Sequence, residues 1–208
     1  MVRRPFVAVL AYLALAAGMH ADESENLFRS EVAGIQVAKP DGWLFQNLET
    51  VARHRASAKL KDSELQKAMV QLASAPVVVA TMHPEPYESL NPSFQLLVRP
   101  LGQLRGITGA EILEKVVPTL ENAFAEFRLV EEISAVEVDG VPGARMTAEY
   151  VVETQEGVVY PTRATIVVVP RGSFLFQFGF SAPPEGPDAI TDEVETTLAS
   201  VDFFDDGG

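Results

Sequence analysis

The 208-residue chain is 47% hydrophobic and 22% charged, has a formal net charge of −13 and contains no cysteine. It can bury a core as one domain without staples, and disulfides, iron–sulfur clusters, thiolate metal sites and cysteine nucleophiles are excluded. The charge works against nucleic acid or an anionic membrane as partner, because affinity for phosphate comes from Lys and Arg neutralising it.

The chain opens with Arg3 and Arg4 ahead of an apolar run from Pro5 to Ala17 that ends in small residues, the pattern of an export signal. Such a run falls short of the roughly 20 residues that span a bilayer as a helix. The reading is a signal peptide over residues 1–21, cut near Gly18 or Ala21. Arg3-Arg4-Pro5-Phe6 also resembles a twin-arginine signal, so the export route stays open. Without a cysteine at the cut there is no lipid anchor, which predicts a periplasmic or secreted protein with no stable membrane span after processing. The acidity is in keeping with a role in solubility, although basic proteins and divalent cations remain compatible partners.

Gly34 to Lys39 alternates and stops at Pro40-Asp41-Gly42, a strand and its turn, with Trp43 next. Leu44 to Lys59 carries mixed signals. Asp62 or Ser63 can cap a helix ending near Ser74, with Leu65, Met69 and Leu72 at helical spacing. Pro76 to Met82 is a β-branched run, predicted as a strand covered on both faces. After a polar loop from His83 to Pro92, Phe94 to Val98 is another buried strand.

Thr108-Gly-Ala-Glu111 is a capping box. The helix it opens is predicted to place Leu113, Val116, Leu120, Phe124 and Phe127 on one face, with Glu111, Glu114 and Glu121 outside the stripe. Pro118 is expected to bend or interrupt it. From Arg128 onward, long strands are separated by Asp139-Gly140, Gln155-Glu-Gly157 and Pro170-Arg-Gly-Ser173, a β-meander. Phe174, Phe176, Phe178 and Phe180 recur with period two and must face one side. Helices are the expected cover, with a last one over Asp188 to Ser200 using Ile190, Val194 and Leu198. The fold class predicted is α+β, a mostly antiparallel sheet sandwiched by helices.

Several strings then resemble the PsbP-like superfamily: Gly42-Trp43 after the first strand and Pro40, the helix running into Pro76-Val-Val-Val, Asn91-Pro92-Ser93-Phe94, the Val138-Asp-Gly-Val-Pro142 turn, and Ser200-Val-Asp-Phe203 after the closing helix. The resemblance covers residues 33–204, leaving 205–208 as a short acidic and glycine tail. It implies a PsbP-like α/β/α sandwich. The superfamily holds the extrinsic photosystem subunit PsbP, a nuclear-import factor that binds a Ran-type GTPase, and small bacterial envelope proteins. Its members mostly act by binding other proteins, which implies the same here and transfers no catalytic residue.

The chemistry-bearing residues are sparse. His20 lies beside the signal, and His54 sits between Arg53 and Arg55 as an exposed polar residue. No Gly-x-Ser-x-Gly elbow places a serine nucleophile. His83, Glu85 and Glu88 are the one metal-friendly cluster, in a proline-rich loop; imidazole with carboxylates can hold a divalent ion, but the spacing matches no motif and a solvated loop is the simpler reading. Asp188, Asp192, Glu193 and Glu195 fit a helix start and lack the ligand alternation of a calcium loop. Gly102, Gly106 and Gly109 precede the capped helix without the spacing of a phosphate-binding loop. Trp43 and the phenylalanine stripe are expected in the core. No cofactor is implied and no catalytic residue is assigned.

The resulting expectation is an exported, non-enzymatic accessory or adaptor protein of the cell envelope, acting on a protein partner there. The alternative is a periplasmic carrier for a small apolar ligand or a divalent cation; a hydrolase is a distant third.

Overall fold

The period-two phenylalanines organise the molecule. In the computed structural model, which describes residues 26–47, 58–59 and 78–204, Phe176, Phe178 and Phe180 are fully buried on one side of a central strand and Phe174 packs beside them. The signal segment, His54, the helix expected between Asp62 or Ser63 and Ser74, and the tail 205–208 lie outside the described residues.

In chain order the elements are β1 (Leu27–Ser30), β2 (Ile35–Ala38), β3 (Leu44–Phe45), β4 (Ala58–Lys59), β5 (Val78–Thr81), β6 (Ser93–Pro100), α1 (Gly109–Ala123), β7 (Ala125–Val138), β8 (Val141–Thr154), β9 (Val159–Arg171), β10 (Phe174–Ala182), α2 (Asp192–Ala199) and β11 (Asp202–Phe203). The large sheet has the order β3-β5-β6-β10-β9-β8, and both β4 and β7 pair with β8. Its pairings are all antiparallel. The meander predicted from Arg128 onward is β7 to β10. The strand expected over Gly34 to Lys39 is β2, that over Pro76 to Met82 is described as β5, with all four residues buried, and that over Phe94 to Val98 is the middle of β6.

Among the described residues, the cover over the phenylalanines is shared between a sheet and the last helix. A second, three-stranded sheet, β1-β2-β11, lies over this face. It contributes Phe28, Ile35 and Val37, with Trp43 just beyond, while α2 adds only Val194 and Leu198. A four-residue strand such as β1 has too short a pattern to stand out in sequence, and β11 gains its meaning only by pairing with β2 across the length of the chain. Ser200 ties the end of α2 to β2: its hydroxyl accepts from the Ala38 N–H at 3.0 Å and donates to the Thr197 carbonyl at 2.7 Å.

The opposite face carries smaller residues, Ala144, Met146 and Val168, beneath Ile112 and Leu113 of α1. The capping box forms as read: the Thr108 hydroxyl accepts from the Glu111 N–H, and the Glu111 carboxylate accepts from the Thr108 N–H at 2.8 Å. The Thr108 N–H, followed by the Thr108 hydroxyl donating to the same carboxylate at 2.8 Å, holds the Glu111 carboxyl below the ordinary glutamate range. The helix runs through Pro118 without interruption. The carbonyl deprived of its donor belongs to Glu114, which, like Pro118, is exposed, so water can replace the missing bond. Phe124 ends this helix rather than extending its stripe, and Phe127 lies in β7.

Gly109 does not cradle a phosphate. A Cβ there would come within 2.8 Å of the Ala144 nitrogen and 2.9 Å of the Val168 carbonyl. Its smallness lets α1 start directly on the backbones of β8 and β9. Edge strand β7 carries the exposed residues Glu131, Glu132 and Glu137 and has several register shifts, features that discourage edge-to-edge pairing. Among the described residues no helix is long and apolar enough to cross a membrane.

Candidate functional site

Antiparallel pairing of β6 and β10 puts the start of one beside the end of the other, with Ser93 opposite Ser181 and their hydroxyls 2.9 Å apart. The loop before β6, residues 83–92, is thereby set against the loop after β10, residues 183–191. Three side chains join the two loops. His83 Nε2 lies 3.1 Å from Asp188 Oδ1, the Tyr87 hydroxyl donates to Asp188 Oδ2 at 2.6 Å, and the His83 and Tyr87 rings stack with centroids 4.3 Å apart. The Tyr87 hydroxyl, followed by the His83 ring, holds the Asp188 carboxyl below the usual aspartate range. The same bond to Asp188 pushes the Tyr87 phenol up.

The first loop is fixed from within as well. Glu85 accepts from the Tyr87 N–H at 3.1 Å and from Asn91 Nδ2 at 2.8 Å. Asn91 Oδ1 accepts from the His83 N–H at 3.0 Å, while Asn91 Nδ2 also donates to the His83 carbonyl at 2.9 Å. Asparagine is the residue that can satisfy a donor and acceptors together in this way. The Thr81 hydroxyl donates to the same carbonyl at 2.9 Å, tying the loop to the end of β5.

This arrangement separates the predicted metal candidates. His83 turns to Asp188, Glu85 turns inward onto Tyr87 and Asn91, and Glu88 is exposed. Among the described residues no three metal-capable side chains are grouped. Asp188, expected at the start of the last helix, belongs to the loop clasp instead; the helix begins at Asp192, and Asp192, Glu193 and Glu195 occupy its first turn. Glu195 pairs with Arg145. The sequence held no signal for the His83–Asp188 pair, because 105 positions separate its members and only the β6–β10 register unites them.

Against the clasp lies an open groove of about 270 Å³. The β9–β10 register pairs Arg163 with Ala182, bringing Pro183 and Pro184 alongside Tyr160 and Pro161. Leu90 and Ser89 from the first loop and Glu185 from the second complete the lining. A smaller pocket between Phe180, Ile190 and Val194 has a volume of about 20 Å³, room for one water and not for an apolar ligand. Among the described residues, the phenylalanine face beside Ile190 and Val194 is packed, and the larger opening lies at the loops.

A polar ladder beside this region was not legible in sequence. Glu149 accepts two bonds from Arg163, at 2.6 and 2.9 Å, and pairs with Arg128. The Thr147 hydroxyl donates to Glu131 at 2.7 Å and meets Thr165 at 3.0 Å. These groups satisfy one another across β7, β8 and β9. Chemically, the clasp and the ladder both consist of engaged groups: both Asp188 oxygens have partners, and among the described residues no serine hydrogen-bonds His83.

No protein-family profile matches the sequence, and no curated protein matches it. Among solved structures, the chain is similar to cyanobacterial PsbP (CyanoP) from Synechocystis sp. PCC 6803, at 14% identity and a TM-score of 0.49 over 91% of this chain and 99% of that one. It is similar in the same degree to LpqN of Mycobacterium tuberculosis, a protein involved in cell envelope biogenesis, at 15% identity and a TM-score of 0.49 over 89% of this chain and 87% of that one. At these identities the likeness is one of overall fold alone.

Proposed function

We propose that this chain is an exported, non-enzymatic accessory protein of the cell envelope that works by docking onto another protein. The observation that carries the reading is the loop end of the sheet. Two loops are cross-braced by His83, Tyr87 and Asp188 and share an open groove, so a partner docking there would leave little to order on association. Arg3-Arg4 and the apolar run after them support export.

Cross-linking of the tagged protein in its native envelope, followed by affinity recovery and mass spectrometry against an unrelated acidic exported control, tests the reading. A partner recovered reproducibly, and lost when the loop end is altered, supports docking. Recovery of the chain alone in its native envelope overturns it.

A further inference from the structure

The groove at the loop end has an unusual hydrogen-bonding character. Three of its lining residues, Pro161, Pro183 and Pro184, have no backbone N–H to offer. What remains is acceptor-rich: proline carbonyls, the Glu185 carboxylate, and the hydroxyls of Ser89 and Tyr160, which can act either way. Among the described residues no Lys or Arg lines it. Arg163, two residues beyond Pro161 in β9, lines the neighbouring small pocket and is bound by Glu149 through two hydrogen bonds. The Asp188 carboxylate is likewise occupied by His83 and Tyr87.

Glu88, in the loop that supplies Ser89, is exposed, as is Glu156 in the turn between β8 and β9. The groove thus pairs an apolar floor with a donor-poor rim that carries the Glu185 carboxylate, on a chain whose net charge is −13. An anionic or acceptor-rich ligand would leave the rim unpaired and repelled. A cationic donor complements it, its alkyl stem covering Leu90 and the proline rings and its head reaching Tyr160 and Glu185. Proline and tyrosine walls also suit an extended backbone, which needs no donor from the groove to hold its shape.

We infer that this groove binds an extended segment of a partner protein bearing arginine or lysine, with Tyr160 and Glu185 as the residues that recognise the cation. This rests on the docking reading above and names the partner's chemistry. The test is calorimetry of the purified full chain with three synthetic peptides of equal length that alternate proline with arginine, glutamine or glutamate. The arginine peptide is expected to bind about tenfold or more tightly than the glutamine peptide, and the glutamate peptide to show no binding.

Glu185→Lys and Tyr160→Ala are each expected to weaken the arginine peptide about tenfold. Glu137→Lys, an equal charge change in β7 at the opposite end of the sheet, is expected to leave it within about twofold. Equal loss in Glu137→Lys means a diffuse charge effect and overturns the site, as does unchanged binding in Glu185→Lys, or no binding of the arginine peptide to the unaltered protein. Thermal melts show whether Tyr160→Ala folds, and Glu185→Lys, an exposed change, decides the matter if it does not. The two readings fail separately: an envelope partner still recovered by Glu185→Lys and Tyr160→Ala removes this groove and leaves docking standing, whereas no envelope partner for any form removes docking itself.

Discussion

The phenylalanine face of the sheet and the loop end of the same sheet are built from opposite materials. The face is a closed apolar layer in which Phe94, Phe176 and Phe178 have no exposed surface, held by burial and sealed by a second sheet. The loop end is held by a few directed bonds among His83, Tyr87, Asp188, Glu85 and Asn91, and it leaves a groove open. The contrast teaches that stability and binding sit on different residues of the same strands: β10 supplies the core through its phenylalanines and the groove through the prolines that follow it. Substitutions in one region are therefore expected to spare the other.

The largest break comes from the closed layer. Phe178→Ala is expected to cost about 3–5 kcal/mol, since its ring is enclosed by both sheets, and chemical denaturation would measure it as a lower midpoint with the slope unchanged. A cost below about 1 kcal/mol would mean that the second sheet does not seat on this ring. Gly34→Ala tests the same seal from its far side. Gly34 has φ of +62° and a Cβ there would lie 2.4 Å from the Phe204 carbonyl oxygen, while the Gly34 carbonyl itself accepts from the Phe204 N–H at 3.1 Å. The strained backbone and the forced separation together are expected to cost about 2 kcal/mol or more. An unchanged melting temperature would show that β11 is not held against β2.

On the other face, Thr108→Ala removes the hydroxyl of the capping box and is expected to cost about 1 kcal/mol, read by the same denaturation. This is a loss to helix α1 alone, so binding at the groove is expected to stay unchanged. A parallel loss of peptide affinity would show that the two regions are coupled.

What the sequence disclosed follows the range of each interaction. The phenylalanine period, the capping box and the meander turns each lie within a few residues, so β10, the start of α1 and the order β7 to β10 were legible. The cover over Phe176 and Phe178 was not, because β2 reaches β11 only through a pairing between distant segments. His83, Glu85 and Glu88 are the chemistry-bearing residues of their loop, for which the sequence favours a solvated loop over a metal site, but it cannot show their partners, because only the β6–β10 register brings Asp188 to His83. Asp188 itself looked like a helix-start acid because Asp192 and Glu193 follow it. The groove has no local signature at all, since it arises where three separated segments meet.

The smallest effect on global stability, and the sharpest test of the contrast, belongs to Asp188. Asp188→Asn removes the charge that Tyr87 and His83 address while keeping the shape, so global stability is expected to change by less than about 1 kcal/mol, whereas hydrogen-exchange protection of the His83 and Tyr87 amides is expected to fall with the loosened loop. The pH dependence follows from the depressed carboxyl. A group whose folded pKa lies below its unfolded value contributes fully above the unfolded value, about 3.9 for aspartate, and loses that contribution as pH falls through the folded one. The clasp is therefore expected to hold through neutral and mildly acidic pH and to open only below the ordinary aspartate range. NMR titration of the Asp188 carboxyl alongside the Tyr87 ring would follow both events in one experiment. Titration of Asp188 at or above its ordinary value, or opening of the loops in Asp188→Asn at the same acidic pH as in the unaltered protein, would mean that this carboxylate does not hold the groove, and that the loop end owes its shape to the Glu85 and Asn91 bonds within the first loop.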